Sequence, residues 1–415
     1  MTASSAAAPP LSLRLLLTIF LPLVCGYFIS FYFRYVNAVI AGDLMRDLSL
    51  SAPQLAFLSS AYFLAFAVAQ LPLGLALDRF GPRRVVGSLM LLTALGALSF
   101  ALADGFTVLS LSRALIGLGV SGCLMGALKA FRIWIPVNRL ATATSLYVTI
   151  GGLGALASTA PTEMLLGPVG WRGVFMAVAG LSLAVSIAIF VVMPESNRGR
   201  SGETFGQLLA GFRTVFGDSR FWRIALPYIA AYSPYSALQG LWFGPYLGDV
   251  GGLARGEIAN VLFVAVLSHF VFGGMVGALA DRLVTRGIPH ARLFGIGAAL
   301  SLCVFLAMIL APAGLRPLLV VLYSVSLTLC SLAMAMLGSM YPVELSGRVN
   351  TAQNMLAFLA SFIAQWLFGV ILGLYPSVDG HYAGDGYRAA LLTFAGLHAA
   401  SLLCLMPRRR GARQN

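Results

Sequence analysis

Apolar residues in this chain come in long, unbroken runs rather than in alternation or narrow stripes. Twelve runs approach or exceed the roughly 20 residues that a helix needs to cross a hydrocarbon core: 12–40, 54–76, 84–103, 107–131, 141–165, 172–193, 221–246, 257–279, 291–311, 316–340, 351–375 and 389–406. Short polar clusters separate them, and the longest covers 194–220. Strands of a membrane barrel would alternate apolar and polar positions over about ten residues; none of these runs does. The pattern predicts an all-α membrane protein with twelve transmembrane helices and no soluble domain.

Composition agrees. Hydrophobic residues fill 59% of the 415 positions and charged residues 10%, well below the roughly 25% charge of a water-soluble domain. The net charge of +13 would suggest nucleic acid in a soluble protein, but its distribution reports topology instead. With the N-terminus inside, nineteen arginines lie in loops on the cytoplasmic side, and five (Arg46, Arg172, Arg255, Arg316 and Arg388) lie opposite. This asymmetry follows the positive-inside rule. It predicts a multi-pass protein of the inner (plasma) membrane with both termini cytoplasmic, partnered by the lipid bilayer and not by nucleic acid. Cys25, Cys123, Cys303, Cys330 and Cys404 all fall in apolar runs without a CxxC pair, so neither a disulfide framework nor a metal site is indicated. The run 12–40 lacks a small-residue cleavage site and reads as a retained first helix.

The chain repeats itself. Gly74-Leu-Ala-Leu-Asp78-Arg79 recurs as Gly277-Ala-Leu-Ala-Asp281-Arg282, an offset of 203 residues. Pro136 and Arg139 have counterparts in Pro342 and Arg348 at a similar offset. The expected organisation is two pseudo-symmetric six-helix bundles in parallel orientation, 1–193 and 221–415, joined by a cytoplasmic linker at 194–220. Such repeats place a substrate site near the membrane midplane, where the halves meet.

The stretch Gly74-Leu-Ala-Leu-Asp78-Arg79-Phe-Gly81-Pro-Arg83-Arg84 resembles the signature between helices two and three of the major facilitator superfamily. Arg113-Ala-Leu-Ile-Gly117-Leu-Gly119 resembles that superfamily's fourth-helix signature. The resemblance implies a transporter that works as a monomer. Its gate would comprise Gly74, Asp78, Arg79, Gly81 and Arg83, with Asp78 held by nearby arginines in one state and released in the other. Asp281 and Arg282 form the degenerate second copy, which lacks the second glycine and the double arginine.

Three cations lie inside spans: Arg34, Arg113 and Lys129. A charge near the bilayer centre costs about 2.5–3.5 kcal/mol on insertion scales, so it faces the bundle interior or a cavity. Tyr27, Phe31 and Arg34 share one helix face. The segment Gly26-Tyr27 to Arg34 is similar to the first helix of the organophosphate:phosphate antiporter branch, and this likeness implies that Arg34 and Tyr27 contact substrate. The second arginine of that branch, six residues before a tryptophan in the seventh helix, corresponds to Ser236 here, counting back from Trp242. A doubly charged phosphate ester is therefore disfavoured. Lys129, the single lysine of the chain, reads as a second cavity cation or as a side chain snorkelling to the cytoplasmic face. Arg113 reads as a packing or ion-coupling residue.

No acidic residue sits mid-span. A cavity with cations and no carboxylate attracts anions. His269 lies mid-span as a possible proton carrier, or as a neutral histidine bonded to a backbone carbonyl. Span seven presents Tyr228, Tyr232, Tyr235, Gln239 and Trp242 on one face, and Gln353, Asn354 and Gln365 make span eleven polar. Tyr232, Tyr235, Gln239 and Trp242 thus complete the expected substrate site. No phosphate-binding loop, HExxH or GxSxG motif occurs, so neither a catalytic residue nor a cofactor is expected, and the chain is not an enzyme. The expected function is secondary transport of a small organic anion, a mono- or dicarboxylate. A drug or metabolite exporter and a transporter-shaped receptor are the alternatives.

Overall fold

The computed structural model describes residues 12–195, 205–378 and 381–405. Linker arginines 198 and 200 and the basic tail at 408–413 lie outside the described residues. Ten described stretches are long and apolar enough to cross a membrane. One of them, Ala52–Leu102, is two helices, because Gly81 takes φ 76° between them. Gly170, with φ 65°, makes the same kind of turn after 169. A side chain at either φ would crowd the following carbonyl, so a single glycine turns the chain there.

With the segment 219–249, the transmembrane helices number twelve among the described residues: α1 (13–48, interrupted at Val36), α2 (52–80), α3 (82–102), α4 (Phe106–Trp134), α5 (137–169), α6 (171–192), α7 (219–249), α8 (Arg255–Thr285), α9 (His290–Leu310), α10 (Ala313–Ser339), α11 (Val343–Leu372) and α12 (Gly384–Leu405). Their boundaries fall close to the apolar runs. The linker is more ordered than its polarity suggests, since Phe205–Gly217 is helical and buries Phe212 and Val215. A two-stranded hairpin, Ser377–Val378 against His381–Tyr382, lies between α11 and α12.

The architecture is two six-helix bundles, α1–α6 and α7–α12. Glycine sets the packing inside the first. A Cβ at Gly117 would stand 2.2 Å from the Tyr62 carbonyl oxygen of α2, and one at Gly119 would stand 2.6 Å from the Leu89 carbonyl oxygen of α3. The glycines of the fourth-helix signature therefore let α4 lie directly against two neighbouring backbones. By contrast, Gly74 has nothing within 4 Å of its added Cβ. Gly117→Ala is expected to lower the melting temperature of the purified protein, because backbone cannot yield and overpacking costs about 1–3 kcal/mol. Gly74→Ala should leave it unchanged or slightly raised. Equal melting curves for the two variants would contradict this packing.

The bundles meet at the end where α1 finishes and α8 begins. Gly244 of α7 abuts the Ala38 carbonyl of α1, Gly369 of α11 abuts Ala56 of α2, and Gly373 abuts Pro53. Further along α2 and α11 the contact is aromatic, ending with Phe66 stacked on Phe358 at 4.0 Å between ring centroids. Beyond that level Gly74 faces open space, while Arg34 and Tyr232 keep partial exposure. Inter-bundle packing by glycine contacts and stacked rings is thus concentrated between the Arg255 end and the level of Arg34.

Candidate functional site

Arg34 sits at the interface of the two bundles. Its guanidinium carbon lies 4.8 Å from the ring centroids of Phe31 and Phe358 and 5.9 Å from that of Phe66. Tyr27, Tyr35, Tyr62 and Tyr232 surround the same group. Among the described residues no carboxylate lies within ion-pair distance of it, and its Nε is buried without a partner. Each aromatic face returns about 2 kcal/mol or more to a desolvated cation, and desolvating an ion costs several. The guanidinium is thus a largely buried positive charge with aromatic neighbours and no counter-ion among the described residues.

The second bundle answers with neutral polar groups. Ser236 Oγ, both amide atoms of Gln239, both of Gln353 and Gln365 Oε1 are buried without hydrogen-bond partners. Each such group forfeits about 1–3 kcal/mol while unsatisfied. Gln239 adjoins Gly240, which stands against the Arg34 backbone carbonyl. Gln239 is thus next in sequence to a residue that packs on the α1 backbone at Arg34, at the bundle interface.

The remaining expected site residues divide. Tyr232 stacks on Tyr228 at 5.5 Å and stays partly exposed near Arg34. Tyr27 stacks on Tyr147 at 4.7 Å and meets the edge of Phe31. Tyr235 is buried against His269, with ring centroids 5.4 Å apart. His269 Nδ1 lies 2.8 Å from the Ser324 carbonyl oxygen. A carbonyl only accepts, so Nδ1 carries the hydrogen and Nε2 is the nitrogen left free. Trp242 departs from the expected site: its ring is fully buried on Phe368, and Nε1 donates to the Gln365 carbonyl at 3.1 Å. Arg113 is buried and does not snorkel. It donates to the Phe33 carbonyl at 3.0 Å and lies over the Tyr62 ring, buttressing the residue that precedes Arg34. Lys129 is also displaced from the expected site, because its ammonium is ion-paired with Asp78.

At the sealed end the structure holds a cluster that sequence reasoning left among the loop charges. Arg255, the first residue of α8, donates from Nη1 to Asp43 of α1 at 2.9 Å and from Nε to Glu163 of α5 at 2.8 Å. A third bond runs from Nη2 to Asp43 Oδ2. Asp43 also accepts from Arg46. The three residues bridge the two bundles.

The sequence profile of the Major Facilitator Superfamily matches residues 23–365. The chain belongs to that superfamily. A probable sulfoacetate transporter of Cupriavidus necator is 24% identical over 403 residues, covering 91% of this chain and 92% of the relative. A probable galactarate/D-glucarate transporter of Escherichia coli K12 is 21% identical over 400 residues, covering 88% and 87%. Among solved structures, a bacterial homologue of the human lysosomal transporter Spinster superposes with a TM-score of 0.75 at 17% identity, covering 93% of this chain and 95% of that one.

The superfamily's loop signature has a distinct physical use at each position. Asp78, at the end of α2, is held by Lys129 of α4 and not by the neighbouring arginines that the resemblance suggested. Gly81 makes the turn. Arg83 donates to the Phe190 carbonyl near the end of α6, Arg84 pairs with Glu195, and Arg79 lies exposed over Phe80. The turn is thereby riveted to its own bundle. In the second copy Asp281 and Arg282 are both exposed, Asp281 has no ion pair among the described residues, and the position repeat-related to Lys129 is Ala335.

Proposed function

We propose that this major facilitator chain is a secondary transporter of a small organic acid, which it moves by alternating access between the two bundles. The observation that carries the reading is Arg34, a cation without a counter-ion among the described residues at the interface of the bundles. Arginine's planar fork matches a carboxylate bidentately, and Phe31, Phe66 and Phe358 hold the guanidinium in place. Gln239, Gln353 and Ser236 offer donors and acceptors to the rest of the ligand, with Tyr27 and Tyr232 beside them. One cation facing neutral amides suits a substrate with one acidic end and a polar or compact body. The names of the relatives, sulfoacetate and galactarate/D-glucarate transporters, fall in the same chemical class.

The reading has a topology. The bundles 1–193 and 221–415 move against each other about the linker 194–220, the protein acts as a monomer in the inner membrane, and both termini are cytoplasmic. The end carrying the α2–α3 turn then faces the cytoplasm, and the sealed end with Arg255 faces outward. Lys129 and Asp78 belong to the inner gate.

A thermal-shift panel on purified protein tests the substrate class. Mono- and dicarboxylates, sulfonates, phosphate, sugars and organic cations are the ligands. An organic acid should raise the melting temperature in a saturable way, while uncharged sugars and cations should not. Stabilisation by a cation alone would overturn the anion reading.

A further inference from the structure

The Asp43–Arg255–Glu163 cluster is more than a clasp. We infer that Arg255 is a second, transient anion subsite at the outer mouth, one that Asp43 and Glu163 fill as tethered stand-ins whenever the mouth is closed. The inference rests on the transport reading above. Its first support is geometric. Two nitrogens of the guanidinium engage the two oxygens of Asp43, and Nε engages Glu163, so the fork already holds a carboxylate in the manner it would hold a free one.

Its second support is what opening must do. Arg255 stands on one bundle and both acids on the other, so separation at this end breaks all three hydrogen bonds together. Asp43 keeps a partner from its own helix, Arg46. In this structure Arg255 pairs with none of the described acids of its own bundle. Asp249 is taken by His381, the Tyr382 amide and Tyr387, the Glu257 carboxylate accepts from the Ala254 amide, and Asp385 faces Arg388. Opening therefore exposes an arginine fork at the mouth at the moment an external anion can arrive.

The third support is space. A cavity of about 280 Å³ lies against the cluster, with Glu163 and Arg255 on its wall. It runs along α1 from Met45 to Ala38 and along α7 from Asp249 to Gly244. Ala38 is one helical turn from Arg34. The cavity therefore extends from Arg255 to within four residues of Arg34 along α1, although Arg34 is not on its wall. Tethered acids compete at millimolar effective concentration, so the subsite works only while the mouth is open.

Charge-selective labelling tests this without requiring transport. Ile258, which lines the cavity, is replaced by cysteine in a background whose five native cysteines are serine or alanine, and Asp43→Asn with Glu163→Gln releases the clasp. The rate of modification by an anionic sulfonatoethyl methanethiosulfonate is compared with that by its cationic trimethylammonium analogue, with and without Arg255→Gln. Loss of Arg255 should lower the anion-to-cation rate ratio about tenfold, and added D-glucarate or sulfoacetate should slow the anionic reagent only when Arg255 is present. Arg255→Lys, which keeps the charge and loses the fork, should restore the ratio but weaken the protection. A ratio unchanged by Arg255→Gln, or protection equal in its absence, would overturn the subsite and leave Arg255 a clasp. Failure of wild-type protein to bind any organic acid in the thermal-shift panel would instead sink the transport reading, and the labelling ratio would still be measurable.

Discussion

Arg34→Ala is expected to abolish saturable binding of the organic acid that stabilises the wild-type protein, and with it uptake into proteoliposomes. Removing one partner of a desolvated charge pair costs about 2–5 kcal/mol, roughly 30-fold to more than 1,000-fold in dissociation constant. Arg34→Lys keeps the charge but offers a compact ammonium in place of a fork. It should lose about tenfold or more, and it should discriminate less between carboxylates and inorganic anions. The fold itself should not suffer. Arg34 has no counter-ion among the described residues and leaves its Nε unsatisfied, so Arg34→Gln should melt no lower than wild type in the absence of ligand. That combination, affinity lost and stability kept, separates a receptor from a packing residue. Calorimetry and melting curves on the same preparations check it, and wild-type affinity in Arg34→Ala would end the anion reading.

The bundle architecture was legible because hydrocarbon forbids unsatisfied backbone, so apolar runs of spanning length can be little other than helices. Arg34 was legible for a related reason: a cation inside an apolar run has to be explained. The misplacement of Trp242 has a local cause. Counting Tyr232, Tyr235 and Trp242 onto one face assumes an unbroken α-helical period. A π turn at Leu238–Trp242 inserts extra residue per turn and rotates everything after it. Trp242 swings against Phe368, while Tyr232, before the turn, stays near Arg34. Lys129 and Arg255 failed to show their roles for another reason. Lys129 and Asp78 are separated by 51 residues, and Arg255 and Asp43 by 212. Both acids sit at helix ends, where a carboxylate in a sequence reads as solvated. Only the packing of α4 on α2, and of one bundle on the other, turns those charges into pairs.

Asp78→Asn should slow transport about fivefold or more while leaving the affinity for the organic acid near the wild-type value. The pair it breaks is half-buried, with 23% of the Lys129 side chain and 35% of the Asp78 side chain exposed. Screening limits its worth to about 1 kcal/mol, which still shifts a two-state equilibrium about fivefold. The effect falls on conformation because the pair is remote from the receptor. Phe66, under Arg34, and Asp78 are twelve residues apart on α2, about 18 Å at 1.5 Å per residue. When the end carrying this turn closes, the turn must meet the second bundle, where α11 begins just after Pro342 and presents the positive end of its dipole. Asp78 held at a fixed position by Lys129 suits that docking; an amide in its place carries no charge to dock with. Lys129→Ala should reproduce the defect, and exchanging the two residues, Asp78→Lys with Lys129→Asp, should restore the pair but present the wrong sign to α11, so transport stays slow. Were Lys129 instead a substrate ligand, Lys129→Ala would weaken binding as Arg34→Ala does, and Asp78→Asn, by freeing the ammonium, would tighten it. Binding and transport measured on the same four variants decide between a gate and a second receptor.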